Sequence, residues 1–189
     1  MIYNGLPVFD LTIEDDNIFE NVSLVDFPAI QRDFVHFAED TEIKFSVNEE
    51  KHICSGPVLI PDQLIYRRQG NKEYYVRFSA EAIEQMALRF FQDSKQNEGN
   101  VMHEVEVNGI TYFESYIVNR ERGIAPTDFS DLPDGTWFMS AKVENDQLWA
   151  LIKEGKIRGF SIAAELTQRP ANDEIDTLED LMEYINKLK

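Results

Sequence analysis

An Asn-Gly dipeptide at positions 108–109 separates two runs with strand character, VMHEVEV (101–107) and ITYFESYIV (110–118). Both residue types tolerate the positive φ that the two central positions of a type I′ turn require, so the dipeptide predicts a tight hairpin. With Asn108 and Gly109 as the loop, Val107 pairs with Ile110, Val105 with Tyr112, His103 with Glu114 and Val101 with Tyr116. Directly opposed residues share a face, with Cβ atoms roughly 4.5–5.5 Å apart. His103 and Glu114 are thereby expected as neighbours on an otherwise apolar, buried face. A carboxylate there can fix the imidazole tautomer, leave the second ring nitrogen as a base and stabilise the imidazolium. The pair also reads as a plain structural hydrogen bond, and a slip of register would separate it.

The rest of the chain shows many short strands and few helices. PVFDLTI (7–13), NVSLVDFPAI (21–30), IKFSV, KHICSGPVLI (51–60), YYVRF (74–78), TWFMSAKV and IRGFSIAAEL (157–166) read as strands. Ser79 is placed to cap a helix whose apolar face is Ile83, Met86, Ala87, Phe90 and Phe91. A shorter helix over 146–154 is stopped by Gly155. Residues 94–100, SKQNEGN, read as a polar loop. The expected organisation is a main domain over 1–168, a linker over 169–176 and an amphipathic C-terminal helix over 177–189. The expected fold class is mainly β with helices (α+β): a mostly antiparallel β-barrel with a few helices around it.

Composition narrows the function. The 189 residues carry 35 acids against 18 bases, a formal charge of −17. A surface so negative repels nucleic acid and anionic membrane, so neither is expected as a partner. One cysteine, Cys54, allows no internal disulfide, and no run approaches the length of a membrane span. With no signal-peptide pattern at the start, a soluble intracellular protein is expected. The three histidines, His36, His52 and His103, lie far apart without metal-ligand spacing, so no metal site is expected.

Ser161 is a candidate nucleophile. In GFSIAAEL, strand alternation puts Phe160, Ile162, Ala164 and Leu166 on one face and Ser161, Ala163 and Glu165 on the other. Gly159 and Ala163 flank Ser161, leaving room for a substrate backbone and for oxyanion donors. The same small residues would also serve tight packing of a strand on a helix. Cys54 with His52 is a weaker candidate, because a lone cysteine in an apolar strand is commonly an inert core residue.

An ordered set of segments carries a resemblance. NVSLVDFPAI, GPVLIPDQLIYR, YYVRFSAEAI, the His103 segment, ESYIV, PDGTWFMSAKV and finally WALIKEGKIRGFSI resemble the capsid-maturation (prohead) serine proteases of tailed phages, in particular the prophage type, over roughly residues 18–166. That family is similar in fold to the herpesvirus assembly proteases. The resemblance implies a serine endopeptidase with Ser161 as nucleophile, His103 as base and an acidic third member. That member is Glu114 by position, with Glu165 in reserve and Arg169 a candidate for an anion-stabilising loop. It implies no cofactor, the scaffolding and major capsid proteins as substrates, self-association as an open option, and action inside assembling proheads in the host cytoplasm. Departures after GFS, where the chain continues IAAEL, leave the oxyanion donors unassigned. Two other readings stay open: a non-catalytic procapsid component that keeps the fold, and a small-molecule-binding barrel using the His–Glu pair.

Overall fold

The computed structural model describes residues 1–14, 17–26 and 45–170. In chain order the strands are β1 (Ile2–Tyr3), β2 (Leu6–Thr12), β3 (Phe19–Val25), β4 (Ser46–Asn48), β5 (Ile53–Leu59), β6 (Ile65–Gln69) and β7 (Lys72–Phe78). Helix α1 (Ala80–Gln92) follows, then β8 (Asn100–Val101), β9 (Val105–Glu106), β10 (Ile110–Ile117) and β11 (Trp137–Val143). Helix α2 (Asp146–Lys153), β12 (Gly159–Ala164) and β13 (Thr167–Pro170) complete the described chain. The first two residues of the expected linker, 169 and 170, are the last two of β13. The expected helix over 177–189 lies outside the described residues.

Local chemistry accounts for both helices. Ser79 caps α1, its hydroxyl oxygen accepting from the Ala82 N–H at 3.1 Å. Ala82, Ile83, Met86 and Phe90 of α1 are buried, whereas Phe91 stands 47% exposed, so the apolar face is narrower than its spacing suggests. Asn145 caps α2 by accepting from the Leu148 N–H at 3.0 Å. Leu148, Trp149 and Ile152 pack inward, and Gly155, at φ +67°, follows the end of the helix.

The strands form three open sheets. One runs β1-β2-β7-β6, with β13 also paired to β2; the others run β10-β11-β5-β4 and β12-β3-β8-β9. Two pairings are parallel, β2 with β7 and β3 with β8, and the rest are antiparallel. The expected barrel is therefore corrected: the fold is mixed α+β and no sheet closes on itself. Closure requires an unbroken hydrogen-bonded ladder around a ring, and strand number and spacing do not reveal whether the first and last strands meet.

A single main core lies between these layers. Its aromatic centre draws one ring from each of several elements: Phe19 from β3, Phe90 from α1, Tyr112 from β10, Trp137 from β11 and Phe160 from β12. Phe90 makes edge contacts with Phe19, Tyr112 and Trp137 at centroid distances of 6.2, 5.6 and 5.7 Å. Tyr112 meets Phe160 at 5.9 Å. Such pairs add about 0.5–1.5 kcal/mol each beyond their burial, so these rings fix the sheets relative to one another. The Tyr112 hydroxyl also donates to the Val22 carbonyl at 2.6 Å, tying β10 to β3.

The Asn108-Gly109 hairpin does not form. β9 turns back onto β8 instead, with Val101 opposite Val105, and the Val107 N–H donates to the Gly99 carbonyl at 2.9 Å. β10 pairs along its length with β11, from Ile110 opposite Val143 to Ile117 opposite Trp137. Gly109 has φ +82°, and its carbonyl accepts from the Glu144 N–H at 2.7 Å, so the dipeptide is a corner between two sheets. A local turn preference of the order of 1 kcal/mol loses to a long ladder that buries Ile110 and Tyr112 in the core.

Candidate active site

The site is built on the sheet β12-β3-β8-β9. In β3, Val22 and Leu24 point into the main core, so alternation turns Asn21 and Ser23 to the other face. Ser161 of β12 stands directly opposite Ser23 in the antiparallel ladder. Asn100 of β8 is the register partner of Ser23 on the other side. Ser161, Ser23 and Asn100 therefore form a polar row across three adjacent strands. All three are buried, at 4%, 0% and 8% exposure. Strands sit about 4.8 Å apart, so Ser161 and Ser23 are adjacent residues of the ladder.

His103 closes over this row from the β8–β9 turn rather than from a strand. The Glu104 N–H donates to the Val101 carbonyl at 3.2 Å, and both residues between them have positive φ, Met102 at 58° and His103 at 60°. Met102 anchors the turn to β3: its N–H donates to the Leu24 carbonyl at 3.0 Å, and its sulfur accepts from the Asp26 N–H at 3.4 Å. The half-buried His103 ring then places Nδ1 3.0 Å from Ser23 Oγ. A left-handed conformation at a non-glycine residue costs on the order of 1–3 kcal/mol, and two stand in succession here.

Ser23 is the residue that the sequence reading passed over. Its Oγ lies 2.7 Å from Asn21 Oδ1 and 2.8 Å from Asn100 Oδ1, besides the His103 contact. A hydroxyl has one proton and two lone pairs, so it can serve only one of these neighbours as donor. The other contacts require a donor facing the oxygen, from an amide NH₂ or from Nδ1–H. The available signal was the alternation in NVSLV, which places a hydroxyl opposite two core aliphatics. Its partner Asn100 lay in a segment that reads as polar loop.

The other candidates fall elsewhere. Glu114 is exposed on β10, opposite Ser140 and just after a bulge at Phe113. The register that would set it beside His103 does not form, and its carboxylate instead acts on Tyr116, whose pKa is raised by burial and then by that charge. Glu165 is exposed just beyond the end of β12, its N–H donating to the Ile18 carbonyl at 2.9 Å. Arg169 on β13 pairs with Glu14 at 2.8 Å. Cys54 is fully buried, and burial pushes its thiol up to about 12, opposite to what a thiolate nucleophile needs. His52 stacks on Trp149 at 4.6 Å.

One cavity borders the polar row at Asn100, and a second lies along the end of β12. One of about 760 Å³ is lined by Asn21 and Asn100 together with Glu20, Glu98 and Glu106. The other, of about 400 Å³, is lined by Ile162, Ala163 and Ala164 of β12, with Glu20, Tyr74 and Leu166. Glu20 borders both. Among the described residues β12 is the terminal strand of its sheet, so the strand bearing Ser161 has one side without a ladder partner.

A family model described as "Putative phage serine protease XkdF" matches residues 40–169. The matched segment contains His103, Asn100 and Ser161 and begins after Ser23. No curated protein and no solved structure gives a significant match.

Proposed function

Since this chain belongs to the XkdF family of phage serine proteases, we propose that it is an endopeptidase of capsid maturation with Ser161 as nucleophile and His103 as general base. The observation that carries this reading is the ladder register. Ser161 stands across from Ser23, and the Ser23 hydroxyl is in contact with the His103 ring. Two residue types that acyl transfer needs, far apart along the chain, are thus each a neighbour of Ser23, which supports the reading. Gly159 and Ala163, two residues to either side of Ser161, put small residues on the same face of β12 beside the nucleophile.

The chemistry runs as follows. His103 takes the Ser161 proton as Oγ attacks a peptide carbonyl, then returns it to the leaving amine, so an acyl-enzyme remains. Water, deprotonated by the same imidazole, releases the acyl group. Base assistance of this kind contributes on the order of 10²–10⁴ in rate. Among the described residues one side of β12 has no ladder partner, which suits an extended substrate segment added as a further strand, with its scissile carbonyl at Ser161. The substrates are segments of the scaffolding and major capsid proteins, cut within the assembling prohead in the host cytoplasm. Glu114 has no part in this mechanism.

The test is co-expression of the chain with its scaffolding protein. Ser161→Ala and His103→Ala each leave the scaffold uncut while the protein remains folded by circular dichroism. Undiminished processing by Ser161→Ala removes that residue from the mechanism.

A further inference from the structure

We infer that Ser23 is the positioning residue that orients the His103 imidazole through its Nδ1. This rests on the Ser161–His103 reading and concerns how its base is held. For the base to accept the Ser161 proton through Nε2, Nδ1 must carry the other ring proton and give it to an acceptor. Ser23 Oγ lies at hydrogen-bond distance from Nδ1, at 3.0 Å.

The surroundings of Ser23 suit that task. Its hydroxyl is fully buried, so bulk water does not compete for it. Asn21 and Asn100 hold it from two directions, at 2.7 and 2.8 Å. Both contacts are to amide oxygens, which accept, so the Ser23 proton points toward an asparagine and a lone pair is left for Nδ1–H. The hydroxyl is thus fixed as an acceptor toward His103. Its Cβ is set by a central strand with partners on both sides, β12 and β8, so the acceptor is rigid.

A neutral hydroxyl orients the ring as a carboxylate does but compensates the imidazolium charge less, because hydrogen bonds to ionised partners are roughly twice as strong. The relay runs His103 Nδ1–H to Ser23 Oγ, and Ser23 O–H to an asparagine Oδ1. No bond other than hydrogen bonds changes along it, and the proton of the chemical step stays between Ser161 and Nε2.

The experiment measures cleavage of the scaffolding protein and labelling by a fluorophosphonate, with the labelled residue identified by mass spectrometry. Ser161 is expected to carry the label in the wild-type protein and in Ser23→Ala. Ser23→Ala is expected to lower kcat by roughly tenfold or more, with KM unchanged, since one net hydrogen bond corresponds to about that factor. Ser23→Thr, which restores the hydroxyl, is expected to recover part of the loss. The ¹⁵N signals of His103 should report an Nδ1–H tautomer in the wild type and lose that preference in Ser23→Ala. Should Ser23→Ala fail to fold, Ser23→Cys tests the same point, since sulfur is a weak acceptor. A kcat within twofold of wild type in Ser23→Ala or Ser23→Cys, an unchanged tautomer, or a label on Ser23 itself overturns the inference. Full cleavage by Ser161→Ala, by contrast, overturns the underlying reading.

Discussion

Gly99 tests whether the β8–β9 turn is held where the chemistry needs it. A Cβ at this position would run into the Val107 carbonyl oxygen and lie 2.7 Å from Ile110 Cδ1 and 2.8 Å from Ile110 Cβ. The Val107 carbonyl cannot move away cheaply, because the N–H of the same residue donates to the Gly99 carbonyl. Ile110 is 2% exposed in the core and offers no slack either. Overpacking of this kind costs about 1–3 kcal/mol. Alanine returns about 0.4–1 kcal/mol by restricting the unfolded chain. Gly99→Ala should therefore destabilise by about 1–2 kcal/mol net, read as a lower urea midpoint at constant m. At this chain length each kcal/mol corresponds to about 2–4 °C in Tm. Activity should fall further than stability does. Asn100 is the next residue and His103 lies three beyond it, so relieving the clash shifts both against Ser23. Misplacement by about 1 Å can cost on the order of 10²-fold in rate. The assay is fluorophosphonate labelling of Ser161 at a temperature where both proteins are fully folded. A variant with the wild-type urea midpoint and labelling rate would refute the claim that this close approach sets the position of the His103 turn.

Three further expectations come from the placement of side chains. Glu114→Gln should leave scaffold cleavage within about twofold of wild type, since the residue is exposed on another sheet; a loss approaching that of His103→Ala would return the carboxylate to the mechanism. Cys54 should resist iodoacetamide at pH 8 in the folded protein and react once urea unfolds it. Its pKa rises from 9.0 to about 12 on folding, so its stabilising contribution is whole below about pH 9 and is lost as pH climbs toward 12. Tyr112, pushed upward by burial from 10.0, acts in the same direction from about pH 10. Urea midpoints should therefore fall above pH 9, and Cys54→Ala should flatten the onset; a rising midpoint in that range contradicts the assigned burial.

Much of the local structure was legible because it depends on neighbours in sequence. Ser79 before an apolar stripe marks α1, Gly155 marks the end of α2, and alternation marks β5, β7, β11 and β12. Phe91 was misplaced because a spacing rule does not know how wide a groove receives the helix. Asn108-Gly109 was misread because its turn preference is local, while the pairing of β10 with β11 joins segments separated by a long connection. The turn that does matter falls on Met102-His103, which contains neither asparagine nor glycine, and no propensity rule would place it there.

From the sequence alone follow the kind of protein, the identity of its helices and most of its strands, and the hydroxyl and imidazole proposed here for its chemistry. Each is written in residue type, short-range period or ordered motif. The tertiary structure decided which strands lie side by side, that the sheets stay open, and that Ser23 neighbours Ser161 on one side and Asn100 on the other while its hydroxyl touches His103. The physical reason is that strand partnership is a competition among all segments for ladder hydrogen bonds and buried area. Its outcome, here the parallel pairing of β3 with β8, is a property of the whole core and of no single stretch of chain.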